Sequence, residues 1–248
     1  MIGGISTHTR TVIVTGASRG LGMKIALRFG IAGCKVIVNY LDHDQAAASV
    51  VNEIKRAGGE AIAFRADIRS RKQVSELIQA AEQRWGSLDV LVNNAGVISD
   101  ALLLRMTEKA WDTVIDANLK GPFLFMQAAL PIMSRQLSGH IINISSIVGV
   151  QGREGQANYA ASKAGLIGLT KCCAREMGHL NIKVNAVLPG YLSAGMGESL
   201  ATQIHDRILK ENALNRISDP NEVADFIFHL SCMNNVSGQV FNLDSRTL

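Results

Sequence analysis

Four residues rich in β-branched side chains, Thr11-Val12-Ile13-Val14, pass directly into Thr15-Gly16-Ala17-Ser18-Arg19-Gly20-Leu21-Gly22 and then into the helix-like Met23-Lys24-Ile25-Ala26-Leu27-Arg28-Phe29. A strand, a glycine-rich turn and a helix in that order constrain the fold more than any other stretch. Glycine permits a sharp turn and close approach to the backbone, and the free amides at a helix N-terminus stabilise negative charge. The spacing Gly-x-x-x-Gly-x-Gly therefore reads as a cradle for a pyrophosphate, placed where a strand ends and a helix begins.

The rest of the chain repeats the alternation. Strands are expected at 35–38, 61–66, 88–92, 141–145, 183–188 and 238–243, with helical patterns at 45–57, 71–85, from Thr107 onward, through Tyr159, and at 220–230. Strands alternating with helices imply an α/β fold, a single-domain doubly wound parallel sheet (Rossmann-type) of about seven strands with helices on both faces. The domain is expected to span 1–248, with 1–10 an N-terminal extension and 191–212 a mobile lid over the site. Pro131, inside a helical stretch, predicts a local kink or a helix restart.

Composition narrows the function. Hydrophobic residues make up 47% of the 248 and charged residues 19%, which fits a substantial core and argues against disorder. A net charge of +4 without a run of five basic residues points away from nucleic acid and suits an anionic cofactor. No apolar run reaches the ~18 to 20 residues needed to span a bilayer, so no membrane partner is expected. Met1 to Arg10 lacks the apolar core of a signal peptide, and a cytoplasmic location follows as an expectation. The four cysteines show no Cys-x-x-Cys spacing and read as buried, reduced thiols, while the six histidines show no metal-ligand spacing and no metal is expected.

Candidate site residues gather at the strand ends. The second strand closes with Asn39-Tyr40, where an acidic side chain commonly binds the ribose hydroxyls of NAD. A neutral Asn39 together with Arg19 in the glycine loop tolerates a 2′-phosphate and favours NADPH, unless Arg19 is only a solvated loop residue. Asp67 could cap the next helix or face the adenine. Asn93-Asn94-Ala95-Gly96 pairs amides that can bond loop backbones with small residues that let a cofactor lie close. Tyr159 and Lys163, four apart, share a helix face, where the ammonium is expected to lower the phenol pKa toward neutrality. Ser146, at the end of the fifth strand, would supply a second hydroxyl to the same substrate oxygen. Taken alone, a Tyr-x-x-x-Lys pair occurs by chance on many helices, and Asn118 in its apolar surroundings reads equally as a satisfied core amide.

Together, Thr15 to Gly22, Asp67, Asn93 to Gly96, Asn118, Ser146, Tyr159, Lys163 and Pro189-Gly190 resemble the short-chain dehydrogenase/reductase family over roughly residues 10 to 244. Within it the chain is most similar to the 3-oxoacyl-[acyl-carrier-protein] reductases, through Ile141 to Gly149, Gly155 to Tyr159, Lys163 to Gly168 and Ala174-Arg175-Glu176. The resemblance implies reduction of a 3-oxoacyl thioester, bound to acyl-carrier protein or CoA, by NADPH in fatty acid biosynthesis. The alternatives are another carbonyl substrate or a cofactor-binding subunit of weak activity.

By the same resemblance Tyr159 is the proton donor, Ser146 polarises the carbonyl, Lys163 assists the tyrosine and binds the ribose, and Asn118 holds a water. It also implies cofactor contacts from Gly16, Ser18, Arg19, Gly20, Leu21, Gly22, Asn39, Tyr40, Asp67, Ile68, Asn94, Ala95, Gly96, Tyr159, Lys163, Pro189, Gly190 and Leu192. A homotetramer, or dimer of dimers, is the family expectation, through the Asn118 to Leu130 region and the tyrosine helix. Three departures stand out. Ala194 follows Ser193 where the family commonly has threonine, Asp244 leads into Ser245-Arg246 instead of Gly-Gly, and Leu180-Asn181 replaces a basic residue.

Overall fold

The computed structural model describes residues 9–192 and 209–246. Seven strands form one parallel sheet: β1 Thr11–Val14, β2 Lys35–Tyr40, β3 Glu60–Arg65, β4 Val90–Asn93, β5 Gly139–Ile144, β6 Ile182–Leu188 and β7 Val240–Asn242. Their spatial order is β3-β2-β1-β4-β5-β6-β7, so the chain winds outward in one direction from β1, then returns and winds outward in the other from β4. The helices between them are α1 Gly20–Ile31, α2 Asp44–Arg56, α3 Arg71–Trp85, α4 Glu108–Ile115, α5 Gly121–Gln136, α6 Val148–Gln151, α7 Ala157–Met177 and α8 Pro220–Leu230. Reversal between β1 and β4 leaves a crevice at the strand C-terminal ends, the usual ligand position in such sheets.

The period-2 alternation of strands sorts the core into two layers. Val12 and Val14 of β1 face α1, α2 and α8, packing with Ile25, Phe29, Ile54, Val223 and Ile227. Ile13, between them, faces the other way and joins Leu77 and Ile78 of α3 and Phe125 and Met133 of α5. Helices on both faces thus follow from strands that are apolar on both sides.

Four expectations are corrected. The helix does not restart at Pro131, which lies inside an unbroken α5. The irregularity comes earlier, where a π turn, Asp116–Lys120, joins α4 directly to α5. Asp67 does not cap α3. Ser70 does, its side chain accepting from Gln73 N, while Asp67 pairs with Arg69. Arg10, assigned to the N-terminal extension, belongs to the fold: its guanidinium donates to Ser231 O and Oγ at 3.1 and 2.9 Å, and its carbonyl accepts from Lys35 N. Of the four cysteines, all free, only Cys34 and Cys173 are buried, while Cys172 and Cys232 are exposed. No helix among the described residues is long and apolar enough to cross a membrane.

His140 opens the opposite end of the sheet, 8% exposed on β5 beside its register partner Lys183. Its Nδ1 has no hydrogen-bond partner among the described residues. Burial, then repulsion from Lys183 and Arg10, pushes its pKa down from 6.5 to about 4. The unfolded chain therefore takes up a proton that the folded chain refuses, and stability present above the ordinary histidine pKa is lost as pH falls toward the folded value. Urea unfolding is expected to show a loss of about 2 kcal/mol between about pH 7 and about pH 5 that His140→Gln removes. An identical pH dependence in the variant would count against this origin.

Candidate active site

At the crevice the glycine loop is tied to β4 from both sides. Thr15 Oγ1 donates to Val92 O at 3.3 Å and accepts from Asn94 N and Ala95 N, each at 2.9 Å. Asn94 Nδ2 donates to Thr15 O at 2.9 Å and Gly16 O at 3.3 Å. Gly16 turns with φ +61°, a conformation that favours glycine. A Cβ on Gly22 would lie 2.5 Å from Asn94 Nδ2 and closer still to Gly16 O. Arg19 is extended and gives α1 no side-chain cap, so the first-turn amides of Gly20, Leu21 and Gly22, which line the cavity, are left for a ligand. These observations fit a pyrophosphate.

The cavity measures about 700 Å³, and every proposed cofactor-binding residue lines it. Toward β2 and β3 lie Arg19, Tyr40, Asp67, Ile68 and Arg69, with Leu41, Asp42 and His43 beside them. Asn39 also lines this end, but its side chain is 1% exposed and tied to backbone. Its Oδ1 accepts from Gly16 N at 3.3 Å, and its Nδ2 donates to Ala66 O at 3.1 Å and Phe64 O at 3.4 Å. Asn39 braces the glycine loop against β3 while still lining the cavity. Arg69, donating to Asp67 through Nε and NH2, holds that carboxyl below the usual aspartate range.

At the other end Ser146, Tyr159 and Lys163 converge. Ser146 follows β5, and its Oγ accepts from Val148 N at 3.2 Å, holding the start of α6. Tyr159 and Lys163 lie on α7, with the ammonium 5.6 Å from the ring centroid. Burial raises the Tyr159 pKa above its ordinary value, a hydrogen bond with Ser146 lowers it, and Asp100 raises it further. The net direction is upward, where the sequence reading expected a fall toward neutrality. Lys163 is 3% exposed, donates to Ile144 O at 2.8 Å, and burial brings its own pKa down to about 8. Burial disfavours the ammonium, and its bond to the Ile144 carbonyl offsets part of that cost.

Asn118 alone among the proposed catalytic residues does not line the cavity. Fully buried in the π turn, its Oδ1 accepts from Val97 N at 2.8 Å and its Nδ2 donates to Val97 O at 2.9 Å and Ser162 Oγ at 3.4 Å. Its side-chain amide clamps the chain after β4. The π turn that carries Asn118 is of a kind frequent at functional sites.

Several residues were missed. Asn158 is buried and donates to Ser99 O and Ala110 O at 2.9 and 3.1 Å while accepting from Tyr159 N, which fixes the tyrosine's turn of α7. Asp100, Arg153, Glu154, Gln156, Tyr191 and Arg246 line the cavity. Adjacency to Tyr159 could have pointed to Gln156 and Asn158; nothing local marks Arg246. Ser193, Ala194 and the central part of the expected lid lie outside the described residues.

A switch-point crevice with an uncapped helix start at one end and a Ser/Tyr/Lys group at the other defines a nicotinamide-dinucleotide oxidoreductase on a doubly wound α/β fold. The chain belongs to the short chain dehydrogenase family, matched over residues 10–205. It is 46% identical to 3-oxoacyl-[acyl-carrier-protein] reductase FabG of Staphylococcus epidermidis, over 90% of this chain and 91% of that one. It is 44% identical to 3-oxoacyl-[acyl-carrier-protein] reductase of Synechocystis sp., over 95% of each chain. Among solved structures, a putative short-chain alcohol dehydrogenase from Sinorhizobium meliloti superposes with a TM-score of 0.90 at 32% identity, covering 95% of both chains.

Proposed function

We propose that the chain reduces the 3-oxo group of an acyl thioester, carried on acyl-carrier protein, to the 3-hydroxy compound with NADPH in fatty acid biosynthesis. The observation that carries this reading is one cavity lined by Ser146, Tyr159, Lys163 and the uncapped start of α1. Support for the substrate comes from relatives 46% and 44% identical that are named for that reaction.

In this reading the ketone oxygen accepts from Ser146 Oγ and from the Tyr159 hydroxyl. With its pKa raised, Tyr159 is neutral at physiological pH, the state required to give a proton. Ser146 steadies the negative charge that develops on the oxygen. Lys163 and Tyr159 hold the nicotinamide ribose, the glycine loop holds the pyrophosphate, and Arg19 meets the 2′-phosphate. Bound NADPH supplies the hydride to the carbonyl carbon. Asn118 and Asn158 keep the walls in place through the backbone bonds described above.

The test is consumption of NADPH with acetoacetyl-carrier protein, run beside NADH and with Arg19→Ala. Turnover is expected with NADPH, and loss of the arginine is expected to cut the NADPH-over-NADH preference by about tenfold or more. Absence of thioester turnover by folded protein sinks the assignment. A four-copy assembly in the cytoplasm is part of the same proposal, measured by solution mass and by cell fractionation.

A further inference from the structure

After β7 the chain runs on to the cavity, and Arg246 forms part of its wall. Leu243 N donates to Leu188 O, which keeps this tail beside the end of β6. β5, β6 and β7 are successive neighbours, so the strand ends leading to Ser146 and Arg246 are two spacings, roughly 10 Å, apart. Arg246, a few residues beyond β7, and Ser146, just beyond β5, both line the one cavity.

The guanidinium is held firmly. Its Nε donates to Asp244 Oδ1 and Oδ2 at 2.9 and 3.0 Å, and NH2 donates to Oδ2. Arg246 N donates to Asp244 Oδ1 at 3.0 Å, while Ala213 N donates to Ser245 O at 3.1 Å and Ser245 Oγ to Asn212. The Asp244 side chain is fully buried and that of Arg246 is 14% exposed. Its NH1 has no partner among the described residues. The guanidinium is partly exposed on the cavity wall, so the N–H donors that Asp244 does not use are open to an acceptor on a ligand.

Asp244 neutralises the guanidinium, so the pair offers directed N–H donors without a net positive charge. Such a site suits a neutral carbonyl oxygen better than a phosphate. A 3-oxoacyl thioester carries two carbonyls, one methylene apart. With the ketone taken by Ser146 and Tyr159, the thioester carbonyl still needs a donor. We infer that Arg246 donates to the thioester carbonyl oxygen and so selects 3-oxoacyl thioesters over ketones that lack the second carbonyl. The inference rests on the proposed function above.

The experiment compares acetoacetyl-N-acetylcysteamine with 2-heptanone, using Arg246→Lys and the pair Arg246→Met with Asp244→Asn. The second variant leaves no unpaired buried carboxylate and keeps an acceptor for the Arg246 amide. In the paired variant kcat/KM for the thioester is expected to fall about 10- to 100-fold, with NADPH affinity and melting temperature unchanged. The 2-heptanone rate should stay at the wild-type level, whether measurable or nil, and Arg246→Lys should fall between. Parallel loss of NADPH affinity, or unchanged thioester kcat/KM, overturns the inference and leaves the reductase assignment standing. Wild-type protein that reduces 2-heptanone but not the thioester removes both.

Discussion

Tyr159→Phe is expected to abolish reduction while leaving the protein folded and able to bind NADPH. The substitution deletes one hydroxyl and keeps the ring, so the packing of α7 against the cavity is unchanged. What is lost is the proton donor and its hydrogen bond with Ser146. Removal of a positioned general acid costs about 10²- to 10⁴-fold in kcat. Steady-state kinetics with an acetoacetyl thioester, alongside a melting curve and an NADPH fluorescence titration, would measure this. Retention of more than about a tenth of wild-type kcat would assign the proton to another group. The elevated phenol pKa gives the direction of catalysis a physical basis. A tyrosine kept protonated at neutral pH is ready to donate, whereas the reverse oxidation needs a phenolate and is expected to gain at alkaline pH.

Gly22→Ala should produce the second large effect, on cofactor binding. The added methyl would enter space occupied by Gly16 O and by Asn94 Nδ2, 2.5 Å away. Neither neighbour can yield cheaply. Asn94 is committed to two loop carbonyls, and Gly16 is held at φ +61° with its amide on Asn39. Relief therefore requires the loop and the start of α1 to separate, which spoils the alignment of the first-turn amides. NADPH affinity should fall by about 100-fold or more, with a stability loss of about 1–3 kcal/mol. A titration giving wild-type affinity would show that these amides do not hold the pyrophosphate.

Features decided by neighbours in sequence were legible without coordinates. Seven apolar runs marked seven strands, and Gly16, Gly20 and Gly22 marked the turn after the first because each carries its constraint within a few residues. The Tyr159/Lys163 pair was visible for the same reason: helical periodicity alone brings positions four apart together. What escaped notice depends on distant partners. Asn39 also acts as a brace through Phe64 and Ala66, which only the pairing of β2 with β3 brings near. Asn118 is claimed by Val97, and the depth at which Lys163 lies, which decides its effect on Tyr159, is set by packing. Arg246 joins a wall whose other members lie mostly more than a hundred residues earlier, and no periodicity announces it.

The π turn at Asp116–Lys120 can be stated as arithmetic on the chain. Each residue of an α-helix turns it by roughly 100°, so a turn closed five apart instead of four carries one surplus residue. Deleting a residue there would give α4 and α5 a more regular shared axis and would rotate one against the other by about that angle. Asn118 would swing off Val97, and the apolar face of α5 would no longer meet the sheet. A lineage of such chains can therefore vary the residue types within this segment, but its length is locked, and an insertion or gap at this point should coincide with loss of the activity.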